Sequence, residues 1–228
     1  MRTEVRIDAE PGRSPRIRAC GGLDVRVTGR DTVHLIGTAA TPLGGDTIDV
    51  AITVAPGARL RVRSVAATIA LPSRDTPAST SRWRYTVGAS GCLDVAPEPL
   101  IVAGGAAHAA KTVVTLAGGA RIRLCERVQL GRDGEDAGRW RGELRADLDG
   151  RPLLVHAVEL GPGAATDDLL DAPRALVSDL RYPDDADSVT DGLGYARLPL
   201  AGGGTLATRL STRLALSRPA AWVPPPRD

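Results

Sequence analysis

The chain of 228 residues is long enough to bury a substantial core, as one domain or one domain with an appendage. Its 29 basic and 27 acidic residues give a formal net charge of only +2, so composition does not favour nucleic acid or a membrane as a partner. Residues 1–20 lack the apolar run of a secretion signal, and the three cysteines are widely spaced and form no CxxC motif. These features predict a cytoplasmic protein without a disulfide framework or a zinc site.

Strand-like alternation with a period of two dominates the first 165 residues. Residues 48–54 and 60–62 place apolar side chains at every even position, and residues 122–130 repeat the pattern. The opposite face of the second segment carries a basic stripe, Arg59, Arg61 and Arg63, which suits either solvent or an acidic protein partner. Residues 141–160 predict a hairpin that turns at Asp149-Gly150.

The sequence also contains a short internal repeat, whose copies are called echoes or echo units below. Residues 53–62, 86–95 and 115–124 superimpose as strand, small-residue turn and strand, at spacings of 33 and 29 residues. A unit of this kind cannot bury its apolar face alone, so repeated copies are expected to stack. The sequence therefore predicts a mainly β fold: an elongated body of stacked hairpins with β-helical character.

Helical pattern is scarce and lies near the carboxyl end. Residues 166–180 predict a helix with Thr166 as its cap, and Pro173 would break or restart it. Residues 181–204 are rich in Asp, Gly and Pro and predict a loop, and residues 223–228 predict a flexible tail. This divides the chain into a β-rich body, residues 1–165, and an extension, residues 166–228, packed on the same domain.

Successive side chains of a strand point to opposite faces, so odd and even positions lie on different sides. This strand parity places four polar side chains on the apolar face of the predicted strands: Asp46, Ser64, Glu126 and His156. Burying a carboxylate without partners costs several kcal/mol, so such a group must pair, coordinate an ion, meet water or be protonated. One interpretation is a polar, water-containing interior channel or an acidic binding spot. The alternatives are a bulge that turns Glu126 outward, an ion pair with an arginine, or strand ends that lie at the surface.

Two features of the sequence suggest catalysis. Residues 161–166, GPGAAT, follow a strand and precede a helix, but the third glycine of a dinucleotide-binding turn and the βαβ units around it are missing. Glu98 and Glu126 are carboxylates of the kind used in glycoside hydrolysis. However, the three Trp and three Tyr of the sequence provide few aromatic rings on which sugars could stack. A polysaccharide-acting enzyme or glycan-binding module is thus the alternative function.

Three segments carry a family resemblance, in matching order and spacing. Residues 34–68 contain a Pro-Leu-Gly-Gly-Asp turn that opens a strand and a later Ala-Ala-Thr stretch. Residues 92–108 place Pro-Glu before an apolar strand and a small-residue run that ends at a histidine, and residues 124–154 contain a Glu…Gly-Arg…Gly-Glu block followed by a hairpin. Together they resemble the urease accessory protein D (UreD) family over about residues 33–160.

The resemblance implies a non-catalytic scaffold with a helix-poor, β-helical body. Its expected partners are the urease apoprotein and accessory proteins F and G (UreF and UreG), and GTP would belong to accessory protein G. The resemblance implies no tightly bound cofactor in this chain. It does imply that Ni²⁺ passes through the chain in an internal channel. Because an ion held too tightly never leaves, such a path should offer weak, successive contacts from imidazole, carboxylate and water.

Candidate positions follow from the matching segments and from strand parity. The transit-path candidates are Asp46, Ser64, Thr68, Glu98, Glu126 and His156. Arg132 and Glu135 lie in the Gly-Arg…Gly-Glu turn and are expected to brace it as an ion pair. Beyond residue 165 the chain departs from the family pattern, so docking to accessory protein F is left open.

Overall fold

The computed structural model describes residues 1–215 and residue 222. Within them, eighteen strands and one short helix follow one another. The first nine strands are β1 (Arg2–Ala9), β2 (Arg16–Cys20), β3 (Leu23–Gly29), β4 (Thr32–Gly37), β5 (Thr47–Val54), β6 (Arg59–Ser64), β7 (Thr68–Ala70), β8 (Ala78–Val87) and β9 (Cys92–Val95). The predicted tail, residues 223–228, lies outside the described residues.

The second half of the fold contains the helix and four of the five ten-residue strands, the fifth being β8. Its elements are β10 (Leu100–Val102), β11 (Ala107–Leu116), β12 (Arg121–Leu130), β13 (Arg139–Leu148), β14 (Arg151–Leu160), α1 (Ala165–Leu169), β15 (Ala175–Tyr182), β16 (Val189–Asp191), β17 (Tyr195–Pro199) and β18 (Thr205–Ser211). No helix in this described part is long and apolar enough to cross a bilayer.

The strands form a seven-strand sheet and an eleven-strand sheet. The seven-strand sheet has the order β14-β13-β11-β8-β5-β1-β2, and its members from β1 to β13 run parallel. The eleven-strand sheet has the order β16-β17-β18-β15-β12-β9-β6-β4-β3, with β7 and β10 forming a short branch beside β12. The chain passes from one sheet to the other at β5–β6, β8–β9 and β11–β12, which is the path of a β-solenoid.

The three sequence echoes are the corners of this solenoid. Their first arms stack in register, since Thr53, Thr86 and Thr115 are neighbours across β5, β8 and β11. Their turns share a left-handed residue at the equivalent position, with φ of 70° at Gly57, 55° at Ser90 and 69° at Gly119. The mainly β, solenoid-like fold is confirmed. Each echo unit differs from a hairpin because its two arms belong to different sheets and pair with neighbouring coils.

The predicted hairpin at residues 141–160 is also present. β13 and β14 pair antiparallel, and the turn residues Asp149 and Gly150 have φ of 48° and 75°. Positive φ at both central turn residues matches the twist of the flanking strands, which is why Asp-Gly suits this position.

The predicted helix over residues 166–180 is wrong beyond residue 169. α1 ends at Leu169, and Thr166 does not cap it, because its hydroxyl donates to the Glu159 carbonyl at 2.6 Å. Pro173 separates α1 from β15, whose backbone is hydrogen-bonded between β12 and β18. The predicted loop over residues 181–204 likewise contains β16 and β17, because pairing with β18 extends the sheet through them. In both segments, backbone hydrogen bonds to strands distant in sequence determine the structure, and the local sequence pattern does not.

Two apolar clusters fill the described core. The corner cluster lies beside the solenoid corners and includes Val54, Leu60, Val87, Leu93, Leu116, Ile122, Leu124 and Leu180. The far cluster lies at the other end of the strands and includes Val102, Ala110, Val128, Leu130, Trp140, Leu160 and Leu176. Both clusters draw side chains from both sheets, so the sheets face each other across them.

Candidate functional site

A layer of polar side chains separates the two apolar clusters. On β12, Leu124 belongs to the corner cluster, Val128 belongs to the far cluster, and Glu126 lies between them. On neighbouring strands, the apolar side chains are also replaced by polar ones at the same distance along the strand. The residues of this polar layer are Ser64, Thr112, Glu126, His156, Ser178 and Thr208.

Strand register aligns these residues into rows that cross the strands. In the eleven-strand sheet, Glu126 pairs with Ser178, which pairs with Thr208. In the seven-strand sheet, Thr112 is in register with Leu144, and Leu144 is in register with His156. The polar layer therefore runs across the strands, in the direction in which the coils stack.

Glu126 is the charged centre of the polar layer. Within residues 1–215 its carboxyl group forms no hydrogen bond and no ion pair, and burial raises its pKa to about 7 from the usual 4.5. The buried Tyr85 is within electrostatic reach, because burial and then the charge of Glu126 both raise the pKa of its phenol. The Glu126 side chain is only half-buried although it lies between the sheets. It therefore borders space that water can enter.

His156 supplies a second unsatisfied group to the polar layer. Its Nε2 atom is buried and has no hydrogen-bond partner among the described residues, and burial lowers the pKa of the imidazole. The ring is consequently neutral at physiological pH, with one nitrogen open to a ligand.

Ser64 is the last residue of β6, before the break that separates β6 from β7, and Glu98 lies in the break between β9 and β10. The Ser64 hydroxyl accepts a hydrogen bond from the Glu98 amide at 2.9 Å and donates one to the Ala66 carbonyl at 3.0 Å. The Glu98 carboxylate accepts a hydrogen bond from Arg127 Nη2 at 2.9 Å. Arg127 leaves β12 on the face opposite to Glu126, so this contact does not bring the two predicted carboxylates together.

Two other transit-path candidates lie outside the polar layer. Thr68 is half-buried on β7, in register with Leu100 of β10. Asp46 is buried just before β5, where it accepts hydrogen bonds from Thr41 Oγ1 at 2.8 Å and the Leu43 amide at 2.9 Å and forms an ion pair with the amino-terminal amine.

The environment of Asp46 stabilises its charge. Burial opposes ionisation, but the bonds from the amine, Leu43 and Thr41 more than offset it and hold the pKa below its usual value of 3.8. Asp46 is therefore a fully bonded anchor between the amino terminus and the loop before β5.

The remaining candidates make local contacts. Arg132 Nε donates to Glu135 Oε1 at 2.8 Å, and its backbone amide donates to Oε2 at 3.0 Å, so the pair closes the turn between β12 and β13. These bonds lower the pKa of Glu135 to about 2. In the basic stripe, Arg63 is bonded to Asp94, whereas Arg59 and Arg61 are exposed.

Several interior polar residues were missed by the sequence analysis. His108 is buried, and its two ring nitrogens are hydrogen-bonded to the hydroxyls of Ser79 and Ser81, each at 2.9 Å. Burial lowers its pKa to about 4. Thr112 could have been found from the parity of Ala110 and Val114, and Ser178 was hidden by the helix prediction.

The polar layer does not form a closed metal cage. Within the described residues, no group of three His, Cys, Asp or Glu side chains is arranged to hold an ion. One carboxylate, one imidazole and several hydroxyls are instead spread along the rows, and they would offer a cation a succession of weak contacts.

Comparison with known proteins identifies the family. The UreD urease accessory protein family matches residues 24–178. Urease accessory protein UreD of Parafrankia sp. (strain EAN1pec) is 39% identical over 214 residues, which cover 82% of this chain and 72% of that protein. UreD of Frankia casuarinae is 38% identical, covering 89% and 74%, and UreD 1 of Saccharopolyspora erythraea is 37% identical, covering 80% and 73%. The chain belongs to the UreD urease accessory protein family.

Proposed function

We propose that this protein is a non-catalytic accessory protein in urease maturation, a scaffold on which nickel is inserted into the apoenzyme. Family membership supports the link to urease, because relatives that align with this chain over 72% and 74% of their own length are named urease accessory proteins. Its partners would be the urease apoprotein and accessory proteins F and G, with GTP bound by accessory protein G rather than by this chain.

The polar layer would serve as a path for hydrated Ni²⁺, the cargo of the reaction. The observation that supports this path is a half-buried carboxylate, Glu126, which lies between two apolar clusters and has no partner among residues 1–215. Nickel accepts carboxylate, imidazole and water ligands, all of which the layer can provide. Hydroxyls of Thr112, Ser178 and Thr208 would bond the water shell of the ion rather than the ion itself.

Protonation of Glu126 would couple to passage of the cation. With a pKa of about 7, its carboxyl group is about half ionised near neutral pH. A divalent cation next to it favours the ionised form, so arrival of the ion would release a proton and departure would take one up. This exchange would leave no permanent charge in the layer and would keep the ion from being held tightly.

The test is complementation of a strain that produces urease and accessory proteins F and G but lacks this chain. Wild-type protein should restore urease activity under nickel limitation, whereas Glu126→Gln should support complex assembly but lower the nickel content of purified urease severalfold. Asp191→Asn, which removes an exposed carboxylate on β16 at the edge of the eleven-strand sheet, is the control and should behave as wild type.

Each result decides a separate point. Full urease activity in the deletion strain under nickel limitation would overturn the accessory function. Normal nickel content with Glu126→Gln would overturn the path while leaving the scaffold, and loss of the complex would make Glu126 a structural residue.

A further inference from the structure

A second charged surface lies on the outer face of the seven-strand sheet, away from the polar layer. Its outward positions carry ten basic and six acidic side chains, a net charge of +4 compared with +2 for the whole chain. The basic residues are Arg2, Arg6, Arg16, Arg18, Arg82, Arg84, Lys111, Arg139, Arg141 and Arg145. Positive charge is therefore concentrated on this face.

Two adjacent shallow grooves cross the centre of the face. One has a volume of about 200 Å³ and the other of about 340 Å³. Arg82 and Asp49 border both grooves, and Ala51 and Ala109 contribute small side chains to their floors. Small side chains leave room for the side chains of a partner between the longer basic ones.

Two basic side chains at this centre have no counterion in the part of the chain that the structure describes. Arg82 and Lys111 are directly opposite each other on β8 and β11, and no carboxylate of the described residues forms an ion pair with either. Like charges that face each other across neighbouring strands destabilise a sheet. An anion bound between them would remove that repulsion.

Six of the other eight basic residues on the face form ion pairs with carboxylates. Arg84 contacts Asp49 at 3.2 Å, Arg145 contacts Asp147 at 2.8 Å, and Arg141 forms ion pairs with Glu143 and Glu159. Arg6 and Arg18, opposite each other on β1 and β2 at one edge of the sheet, also form no ion pair with a described carboxylate. At the centre of the face, the charge available to a partner is that of Arg82 and Lys111. Lys111 is also the only lysine in the sequence.

The size of the face suits a protein partner. Seven strands about 4.8 Å apart and roughly eight residues long span about 29 by 26 Å, or about 750 Å². A standard protein interface buries about 800 Å² on each side. Glu4, Asp49 and Glu143 stand among the basic residues, where they would repel a phosphate backbone but suit the mixed charges of a protein surface.

We propose that the outer face of the seven-strand sheet docks an acidic surface of a protein partner, with Arg82 and Lys111 as the central contacts. This surface is additional to the path in the polar layer, and only the naming of the partner rests on the proposed function. A second copy of this chain is not the expected occupant, because its own basic face would repel this one.

The first experiment measures binding to poly-L-glutamate, the simplest acidic polypeptide, and needs no urease protein. The wild-type chain should bind it in a salt-sensitive way, and the double variant Arg82→Glu/Lys111→Glu should bind at least about tenfold more weakly. The control is Arg59→Glu/Arg61→Glu, an equal charge change on the exposed stripe of β6, which should bind nearly as wild type. Circular dichroism and Tm should match among the three proteins, because all four positions are exposed.

A second experiment identifies the partner. Urease apoprotein, accessory protein F and accessory protein G are each mixed with the chain and treated with a carbodiimide, which joins an amine to a carboxylate in direct contact. Mass spectrometry should find a cross-link from Lys111 to an acidic residue of one partner, and Lys111→Arg should bind that partner without this cross-link.

The outcomes separate the docking surface from the proposed function. Equal weakening by both double variants, tighter binding to duplex DNA than to poly-L-glutamate, or a dimer that dissociates on Arg82→Glu/Lys111→Glu would overturn the acidic protein surface. Salt-sensitive binding to poly-L-glutamate through Arg82 and Lys111, with no binding to any urease protein, would retain the surface and overturn the proposed function.

Discussion

Two carboxylates on inward-facing positions of this fold have opposite environments. Asp46, before β5, is bonded by an amine, a hydroxyl and a backbone amide, and its pKa is lowered. Glu126, in the middle of β12, has no bonded partner among the described residues, and burial raises its pKa to about 7. Strand parity predicts the same inward orientation for both residues. They differ because the surrounding structure stabilises the charge of Asp46 and does not stabilise that of Glu126.

The same contrast holds for two histidines. His108 is hydrogen-bonded through both ring nitrogens, whereas Nε2 of His156 has no partner among the described residues. The bonded members, Asp46 and His108, lie outside the polar layer, and the unbonded members, Glu126 and His156, lie within it. A fully bonded polar group contributes to stability, and an unbonded one is available to a ligand or to water.

The largest expected effect concerns His108 and acid. Because its pKa is lowered to about 4 from 6.5, the unfolded chain takes up a proton first as pH falls below 6.5. The stability that the neutral ring contributes should be lost between pH 6.5 and about 4, by about 3 kcal/mol.

Urea denaturation across this pH range measures the loss. His108→Gln should remove this part of the pH dependence, and His34→Gln, on β4, should retain it. The same pH dependence in wild type and His108→Gln would contradict the assignment.

The next effect is loss of the bonded carboxylate. Asp46→Asn removes the charge that the amine, Thr41 and Leu43 contact, so we expect the free energy of unfolding at pH 7 to fall by about 2–3 kcal/mol. Asp49→Asn, three residues later on the outward face of β5, should cost less than about 1 kcal/mol. Equal losses in the two variants would show that the contacts of Asp46 are not stabilising.

The unbonded carboxylate should behave in the opposite way. Its raised pKa means that the folded state keeps the proton as pH rises from 4.5 to about 7, so stability is lost over that window. Glu126→Gln should therefore raise the free energy of unfolding at pH 8 by about 2 kcal/mol, less than the full shift implies because the group borders solvent. At pH 4 the variant and wild type should agree, and a loss of stability at pH 8 would mean that Glu126 has a stabilising partner.

The candidate site was predictable in part. Parity alone placed Ser64, Glu126 and His156 on inward-facing positions, because no register shift separates these residues from the apolar neighbours that set their parity. It placed Asp46 there as well, but it could not reveal the bonds that this residue makes to distant groups. Ser178 was not predicted, because its strand exists only through backbone pairing with β12 and β18.

The sequence by itself determined the repeated corners, the strand alternation and the Asp-Gly hairpin, since each depends on residues close together in the chain. Only the tertiary structure decided that the core divides into two apolar clusters with a polar layer between them, and that the outer face of the seven-strand sheet concentrates basic charge. Both features arise from the register between strands far apart in sequence. The stacking of the coils determines which residues are neighbours across the strands. It therefore also determines which groups can pair with a given charge.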